Sequence, residues 1–201
     1  MDDRTRNAID TYNIIADWYS DNRCQVLMEK HYLDQLISKI NKTRTVLDFG
    51  CGTGMPIANY LLSQGLYVTG VDASNKMLTI ARQQLPNTEF IQCDMRQLTM
   101  TKKFDAIIAW HSFFHLPYED QPGMFEVFKR NLNPNGLLLF TSGQTREEAW
   151  GTNGGQQLFH ASLDTQEYQC LLKKHNFEVL THKADDETCG NATVWLARLL
   201  T

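Results

Sequence analysis

The stretch Val46-Leu47-Asp48-Phe49-Gly50-Cys51-Gly52-Thr53-Gly54 restricts the architectures open to this chain more than any other. Thr45–Phe49 is a short β-prone run that ends in three glycines spaced two apart, and Pro56 then opens a helix. Glycine suits positions where backbone turns tightly or comes close to a ligand. Proline is tolerated at a first helical position because its missing N–H would have no intrahelical partner there. The next strand, Leu66–Val71, runs into Asp72, 22 residues beyond Gly50. An acid at that place can accept hydrogen bonds from both hydroxyls of a ribose. The glycine spacing also excludes two alternatives. A G-x-G-x-x-G fingerprint starting at Gly50 needs glycine where Met55 stands, and no Gly-Lys-Ser/Thr ending marks a phosphate-cradling loop.

Strands and helices alternate through the rest of the chain. From Thr5 to about Ile40 the pattern is helical, with Ile9, Tyr12, Ile15, Ala16 and Tyr19 on one stripe. Asp21-Asn22 interrupts it, and a second helix carries Val26, Met28, Tyr32, Leu33, Leu36 and Ile37. Ser74 is a suitable N-cap for a helix over 74–84. Further strands are predicted over 89–92, 104–109, 137–141, 177–182 and 193–199, with helices over 119–131 and 164–174. The fourth run, Phe104–Ala109, is apolar enough for burial on both faces. Asn133–Gly136 reads as a turn. Residues 143–160, punctuated by Gly143, Gly151, Gly154 and Gly155, read as a long functional loop with room for a short helix. The acidic run Asp185-Asp186-Glu187 with Cys189 reads as a surface loop. The expectation is one α/β domain over 1–201, with a mostly parallel sheet in 43–201 and an N-terminal helical cap over 1–42.

Composition supports a packed domain: 201 residues, 42% hydrophobic and 21% charged. Apolar runs are short, as in Leu137–Phe140, well under the ~20 residues of a membrane span. Met1-Asp2-Asp3-Arg4 leads into no apolar segment, so no secretory signal is expected and the cytoplasm is the expected compartment. The net charge is −4, and Lys and Arg nowhere gather beyond pairs such as Lys102-Lys103, which disfavours a nucleic-acid partner. Five cysteines, an odd number with no C-x-x-C pair, read as reduced thiols, and no metal site is expected.

Taken in order, these segments resemble the motifs of the class I S-adenosylmethionine-dependent methyltransferases. Asp48–Gly54 resembles the first motif and Gly70-Val71-Asp72-Ala73-Ser74 the second. Cys93-Asp94-Met95 resembles the adenine-binding motif, Phe104–Trp110 the fourth-strand motif, and Leu132–Gly136 the entry to the fifth strand. The resemblance implies a Rossmann-like three-layer sandwich with a seven-stranded sheet ordered 3-2-1-4-5-7-6, the last strand antiparallel. It implies S-adenosylmethionine as cofactor and S-adenosylhomocysteine as product. It also implies residue roles. Gly50, Cys51 and Gly52 would bring backbone against the methionine part of the cofactor, with Asp48 nearby. Asp72, with Ala73 beside it, would hold the ribose, and Asp94 and Met95 the adenine. Trp110 would offer backbone next to the methionine part, and Arg23 would take the cofactor carboxylate.

The reaction is then methyl transfer to a nucleophile, and missing motifs narrow the acceptor. No Asn/Asp-Pro-Pro-Tyr segment follows the fourth strand, where Trp110-His111-Ser112-Phe113 stands, and the chain has no Pro-Cys pair. A small-molecule acceptor is expected. His111 and His115 are the acid/base candidates, because they follow the fourth strand and histidine titrates near neutrality. Tyr12, Tyr19, Phe114, Trp150 and His160 are the expected acceptor-pocket residues. The alternative reading is a non-catalytic S-adenosylmethionine-binding sensor or partner subunit.

Overall fold

A computed structural model describes residues 3–40 and 43–201. Met1-Asp2 of the acidic opening and Asn41-Lys42 at the expected cap–core boundary lie outside the described residues. The chain runs α1 (Asp3–Asn22), α2 (Lys30–Lys39), β1 (Thr45–Phe49), α3 (Ile57–Ser63), β2 (Tyr67–Asp72), α4 (Asn75–Gln84), β3 (Glu89–Gln92) and β4 (Phe104–Ala109). It continues as α5 (Gln121–Asn131), β5 (Leu132–Ser142), β6 (Glu147–Asn153), β7 (Gln156–Ser162), α6 (Thr165–Lys174), β8 (Phe177–Asp186) and β9 (Ala192–Leu199).

Seven strands form one sheet in the order β3-β2-β1-β4-β5-β9-β8, and β6 with β7 forms a separate hairpin. Counted within the large sheet alone, this is the expected 3-2-1-4-5-7-6. β1 pairs in parallel with both β2 and β4, whereas β9 is antiparallel to β5 and to β8. The order reverses between β1 and β4, and the crevice beyond the carboxyl ends of strands at such a point is where open α/β sheets bind ligands. Alternation along β1 explains the layering. Leu47 and Phe49 pack with Phe125 and Phe128 of α5 and Tyr168 of α6. Val46 packs on the opposite side with Leu33 and Leu36 of α2 and Leu61 of α3. All six residues of β4 are buried, as its apolar sequence requires.

Asp105, a buried acid at the start of β4, ties the amino ends of three strands together. It accepts from the Thr45 backbone N–H at 3.1 Å and from Asn133 Nδ2 at 2.9 Å, and also from the Thr43 hydroxyl. Ser74 caps α4 by accepting from Met77 N–H. Pro56 stands at the N-cap of α3 rather than inside its first turn. Asn133–Gly136 lies within β5, where the pairing with β4 shifts register, and Asn135 is left-handed at φ +61°.

Two expectations need correction. Residues 143–160 are not a long loop, because most of them form the β6–β7 hairpin. Its turn is Gly154-Gly155 at φ +54° and +76°, closed by the pair Asn153–Gln156. Two residues of positive φ match the twist of a tight hairpin, which is why glycines that read as loop signals serve a strand turn here. The acidic run is a surface turn only in part: Asp185 and Glu187 are exposed, but Asp186 and Cys189 are not. Asp186 accepts from the Tyr32 hydroxyl at 2.5 Å and the Thr188 hydroxyl at 2.7 Å, and both it and Cys189 are buried. No helix among the described residues is long and apolar enough to cross a membrane.

Candidate active site

A cavity opens beyond the carboxyl ends of β1, β2 and β4, and residues of α1 close it from above. Its floor is the turn after β1. Gly50 N–H and Cys51 N–H both donate to the Val71 carbonyl, at 2.7 and 3.1 Å, which fastens the turn to β2. Gly50 has φ +68°, and a Cβ there would lie 2.3 Å from Ser112 Cβ. Gly52 has φ +55°, and a Cβ there would meet nothing closer than Tyr19 Cε1 at 4.0 Å. The first glycine is therefore required by close packing and the second by backbone conformation. Cys51 fills space above Gly70, whose added Cβ would lie 2.8 Å from the Cys51 sulfur. Burial pushes the Cys51 thiol well up, so it is a packing group and not a nucleophile.

Two acids face the cavity in different states. Asp72 is anchored, with Oδ2 accepting from Gly52 N–H at 2.9 Å and Oδ1 from Ser74 N–H at 2.8 Å. The arrangement fixes the carboxylate and leaves lone pairs for a ligand. Asp48 is 3% exposed, and its carboxyl makes no hydrogen bond among the described residues. Burial, with Asp72 nearby, pushes its pKa up to about 7, against the pull of Arg23. Arg23 also lines the cavity. Its Nε donates to the Met55 carbonyl at 3.3 Å, and its guanidinium lies 5.7 Å from the Tyr19 ring centre. Behind it stands Glu29, buried, 3.7 Å from Arg23, with its Oε1 free of hydrogen bonds among the described residues. Nothing in the sequence marked Glu29, since a single acid between two helices has no periodicity to betray its burial. The Thr5 hydroxyl of α1 also lines the cavity, buried and without a hydrogen bond among the described residues.

At the far end, Ala73, Asp94 and Met95 line the cavity. Asp94 is already engaged by Arg96, through its backbone N–H at 3.0 Å and its guanidinium at 2.6 Å, and Arg96 also reaches Asp120 at 2.5 Å. Burial works against ionisation of Asp94, but these contacts prevail and hold its carboxyl below the ordinary range. An incoming amino group must share this acid with Arg96. Trp110 is buried just beyond β4 and lines the cavity.

The opposite end holds a cluster of rings. Tyr12, Tyr19, His111 and His115 line the cavity, with Tyr12 and Tyr19 edge to face at 5.8 Å. His111 has φ +47°, a conformation rare for a residue with a side chain, and its backbone N–H donates to Thr141 Oγ1 at 2.9 Å. His115 is buried between two elements. Its Nε2 lies 3.0 Å from the Tyr12 hydroxyl and its Nδ1 2.8 Å from the Phe159 carbonyl of β7. Burial lowers the pKa of His111 to about 4, with Arg23 and His160 adding to the effect, and that of His115 to about 3. Both rings are neutral at pH 7. Phe114 and His160 form a second layer, with the His160 ring 4.8 Å from that of His115 and 5.4 Å from that of Phe114. Trp150 is placed elsewhere. It lies on β6, 53% exposed, against Phe159, and outside the cavity wall. Its partner across the hairpin is buried Phe159, so its ring covers that residue instead of entering the cavity, which a loop reading of that segment had no means to foresee.

The methyltransferase-domain family profile matches residues 46–136. A protein of Invertebrate iridescent virus 6 named as a methyltransferase is 36% identical over 114 residues, covering 55% of this chain and 40% of that protein. An uncharacterized methyltransferase of Bacillus mycoides is 33% identical over 112 residues, covering 55% of this chain and 52% of its own length. The chain thus spans only about half of the length of those two relatives. Among solved structures, the 1,6-didemethyltoxoflavin-N1-methyltransferase of Burkholderia thailandensis, with 1,6-didemethyltoxoflavin and S-adenosylhomocysteine bound, superposes with a TM-score of 0.72 at 19% identity. That superposition covers 98% of this chain and 87% of the other.

Proposed function

We propose that this chain, which belongs to the class I S-adenosylmethionine-dependent methyltransferase family through residues 46–136, transfers a methyl group from that cofactor to a nucleophilic atom of a small molecule. The observation that carries the reading is the pairing of an anchored acid with an unpartnered one beneath a glycine turn. Asp72 is pre-set by Gly52 and Ser74 N–H groups for two ribose hydroxyls, and Asp48 lies buried and unpaired beside Arg23. A buried, unpaired carboxyl is costly. A ligand bearing an ammonium and a carboxylate would relieve Asp48 and engage Arg23, so the residues fit the amino-acid end of S-adenosylmethionine. The cofactor itself supplies an activated methyl group on a positively charged sulfur.

The chain's own groups have the remaining tasks of binding, alignment and water exclusion. Gly50, Cys51 and Gly52 present backbone to the methionine part, next to Trp110. Ala73 flanks the ribose site, and Asp94 and Met95 take the adenine, with Asp94 shared with Arg96. Tyr12, Tyr19, His111 and His115 form the acceptor end, with Phe114 and His160 supporting it. We further read 1–42 as a cap over a single unit spanning 1–201, acting on a soluble metabolite in the cytoplasm. The acceptor end carries rings and no formal charge of its own, which suits a small, mostly apolar molecule with few polar groups.

Titration calorimetry with S-adenosylmethionine and S-adenosylhomocysteine tests the cofactor half of this reading. Incubation with methyl-labelled cofactor and a metabolite extract, followed by product analysis, tests transfer. Binding with no labelled product from any extract would overturn the catalytic half.

A further inference from the structure

The hydrogen bonds around His115 have only one consistent direction. The Phe159 carbonyl can only accept, so His115 Nδ1, at 2.8 Å, must carry a proton. A neutral ring then has a bare lone pair on Nε2, and the Tyr12 hydroxyl at 3.0 Å must donate to it. The Tyr12 oxygen has no other hydrogen-bond partner among the described residues, and Tyr12 lines the cavity. Its lone pairs are therefore left for whatever occupies the acceptor end.

We propose that Tyr12 and His115 form a proton relay: the Tyr12 oxygen takes the proton of the acceptor's nucleophilic atom while its own hydroxyl proton passes to His115 Nε2. The inference rests on the methyl-transfer reading above and deepens it. It assigns the acceptor to molecules whose reacting atom arrives protonated, a neutral hydroxyl or a neutral ring or amide N–H, rather than a carboxylate or a tertiary amine. The step balances. The X–H bonding pair stays with the acceptor atom, whose lone pair forms the bond to the methyl carbon, and the carbon–sulfur pair stays on sulfur. One proton moves from X to the Tyr12 oxygen and one from Tyr12 to His115.

Three features favour this pair over His111 alone. First, His115 is oriented by a third group, the Phe159 carbonyl, as an effective base must be. By contrast, neither ring nitrogen of His111 has a hydrogen bond among the described residues, and only its backbone is held. Second, the orienting carbonyl is itself fixed. It lies on the outer edge of β7, where Asn7 Nδ2 donates to the Gln157 carbonyl at 3.1 Å and Asn7 Oδ1 accepts from Phe159 N–H at 3.1 Å. Third, the charge is conserved. The groups acting on His115 are the neutral rings of His111 and His160, and those acting on Tyr12 are Tyr19, Asp72 and Arg23. Methyl transfer removes one positive charge from the cavity, and protonation of His115 adds one, so the buried histidine is asked to charge only as the other charge disappears.

The test is nitrogen-15 NMR of the full chain labelled at histidine, with His115 assigned from a His115→Asn variant. S-adenosylhomocysteine and S-adenosylmethionine serve as probes. The expected result is an Nδ1–H tautomer at pH 7 and a protonation midpoint at higher pH in the S-adenosylhomocysteine complex than in the S-adenosylmethionine complex. Tyr12→Phe removes a donor to Nε2 and is expected to raise the midpoint further. An Nε2–H tautomer, equal midpoints in the two complexes, or a lower midpoint in Tyr12→Phe would overturn the relay. If calorimetry shows that neither compound binds, the methyltransferase reading fails with it. If both bind and the tautomer is the opposite one, the relay alone fails.

Discussion

Gly50 and Gly65 form a natural pair for separating backbone strain from close approach. Both have positive φ, +68° and +76°. Alanine at either site meets the same left-handed cost of ~1–2 kcal/mol and the same loss of unfolded-state freedom. They differ in what a Cβ would touch. At Gly65 nothing lies within 4 Å, whereas at Gly50 the Ser112 Cβ would be 2.3 Å away and the Ser112 Cα 3.5 Å. Carbon atoms rest at about 3.5–4.0 Å, so more than an ångström must be found. Ser112 is not free to give way, because its hydroxyl donates to the Phe49 carbonyl at 2.7 Å. Overpacking of that kind costs ~1–3 kcal/mol. In a chain of this length each kcal/mol moves Tm by about 2–4 °C, so Gly50→Ala should melt about 2–12 °C below Gly65→Ala. Thermal unfolding of the ligand-free proteins is the assay. Calorimetry with S-adenosylhomocysteine should then show weakened binding for Gly50→Ala and unchanged binding for Gly65→Ala. Equal melting temperatures in the two variants would refute the argument that Ser112 closes off that position.

If Asp72 takes the ribose as proposed, Asp72→Ala should weaken S-adenosylhomocysteine binding at least tenfold by calorimetry, because a charged acceptor anchored by Gly52 and Ser74 is lost. Asp48 has a carboxyl raised from 3.8 to about 7, so the native state holds a proton that the unfolded chain has released. Stability should therefore fall as pH rises from about 4 through about 7, and urea midpoints of Asp48→Asn at pH 5 and pH 8 should differ less than those of the parent. Tyr32→Phe takes a donor from buried Asp186 and should cost ~1–3 kcal/mol in urea unfolding. Asn7→Ala removes two bonds between α1 and β7 and should speed amide exchange in α1 while the exchange of β4 stays unchanged.

How much of this was legible in the sequence depended on how local each signal was. The β1 turn declared itself because glycine spacing, a following proline and an acid 22 residues on all act within two strands, and Asp48, Asp72 and Arg23 line one cavity. β4 was legible because burial on both faces leaves an unbroken apolar run. The hairpin was not, since β6 is almost wholly exposed and offers no alternation of apolar residues to read. Asp186 escaped because its partner, Tyr32, lies 154 residues away, and no neighbour in sequence reveals that an acid will be covered. Glu29 beside Arg23 and Asp94 beside Arg96 are local pairs, but a single pair in a turn carries no periodic signal that would mark it.

The outer edge of β7 has a consequence beyond the site. A two-stranded hairpin leaves one strand with open backbone groups, an invitation to pair with another chain. Here side chains take four of its outward groups: Asn7 and Thr11 of α1 the Gln157 carbonyl, Asn7 the Phe159 N–H, His115 the Phe159 carbonyl, and Gln121, whose Nε2 donates at 2.9 Å, the Ala161 carbonyl. An amide on a helix thus does the work of a neighbouring strand. If α1 lifts to let ligands in and out, it uncovers that edge at the same moment. Admission of ligand and self-association are then alternatives for one surface, and a protein that is kept saturated with ligand should also be the one that stays monodisperse on storage.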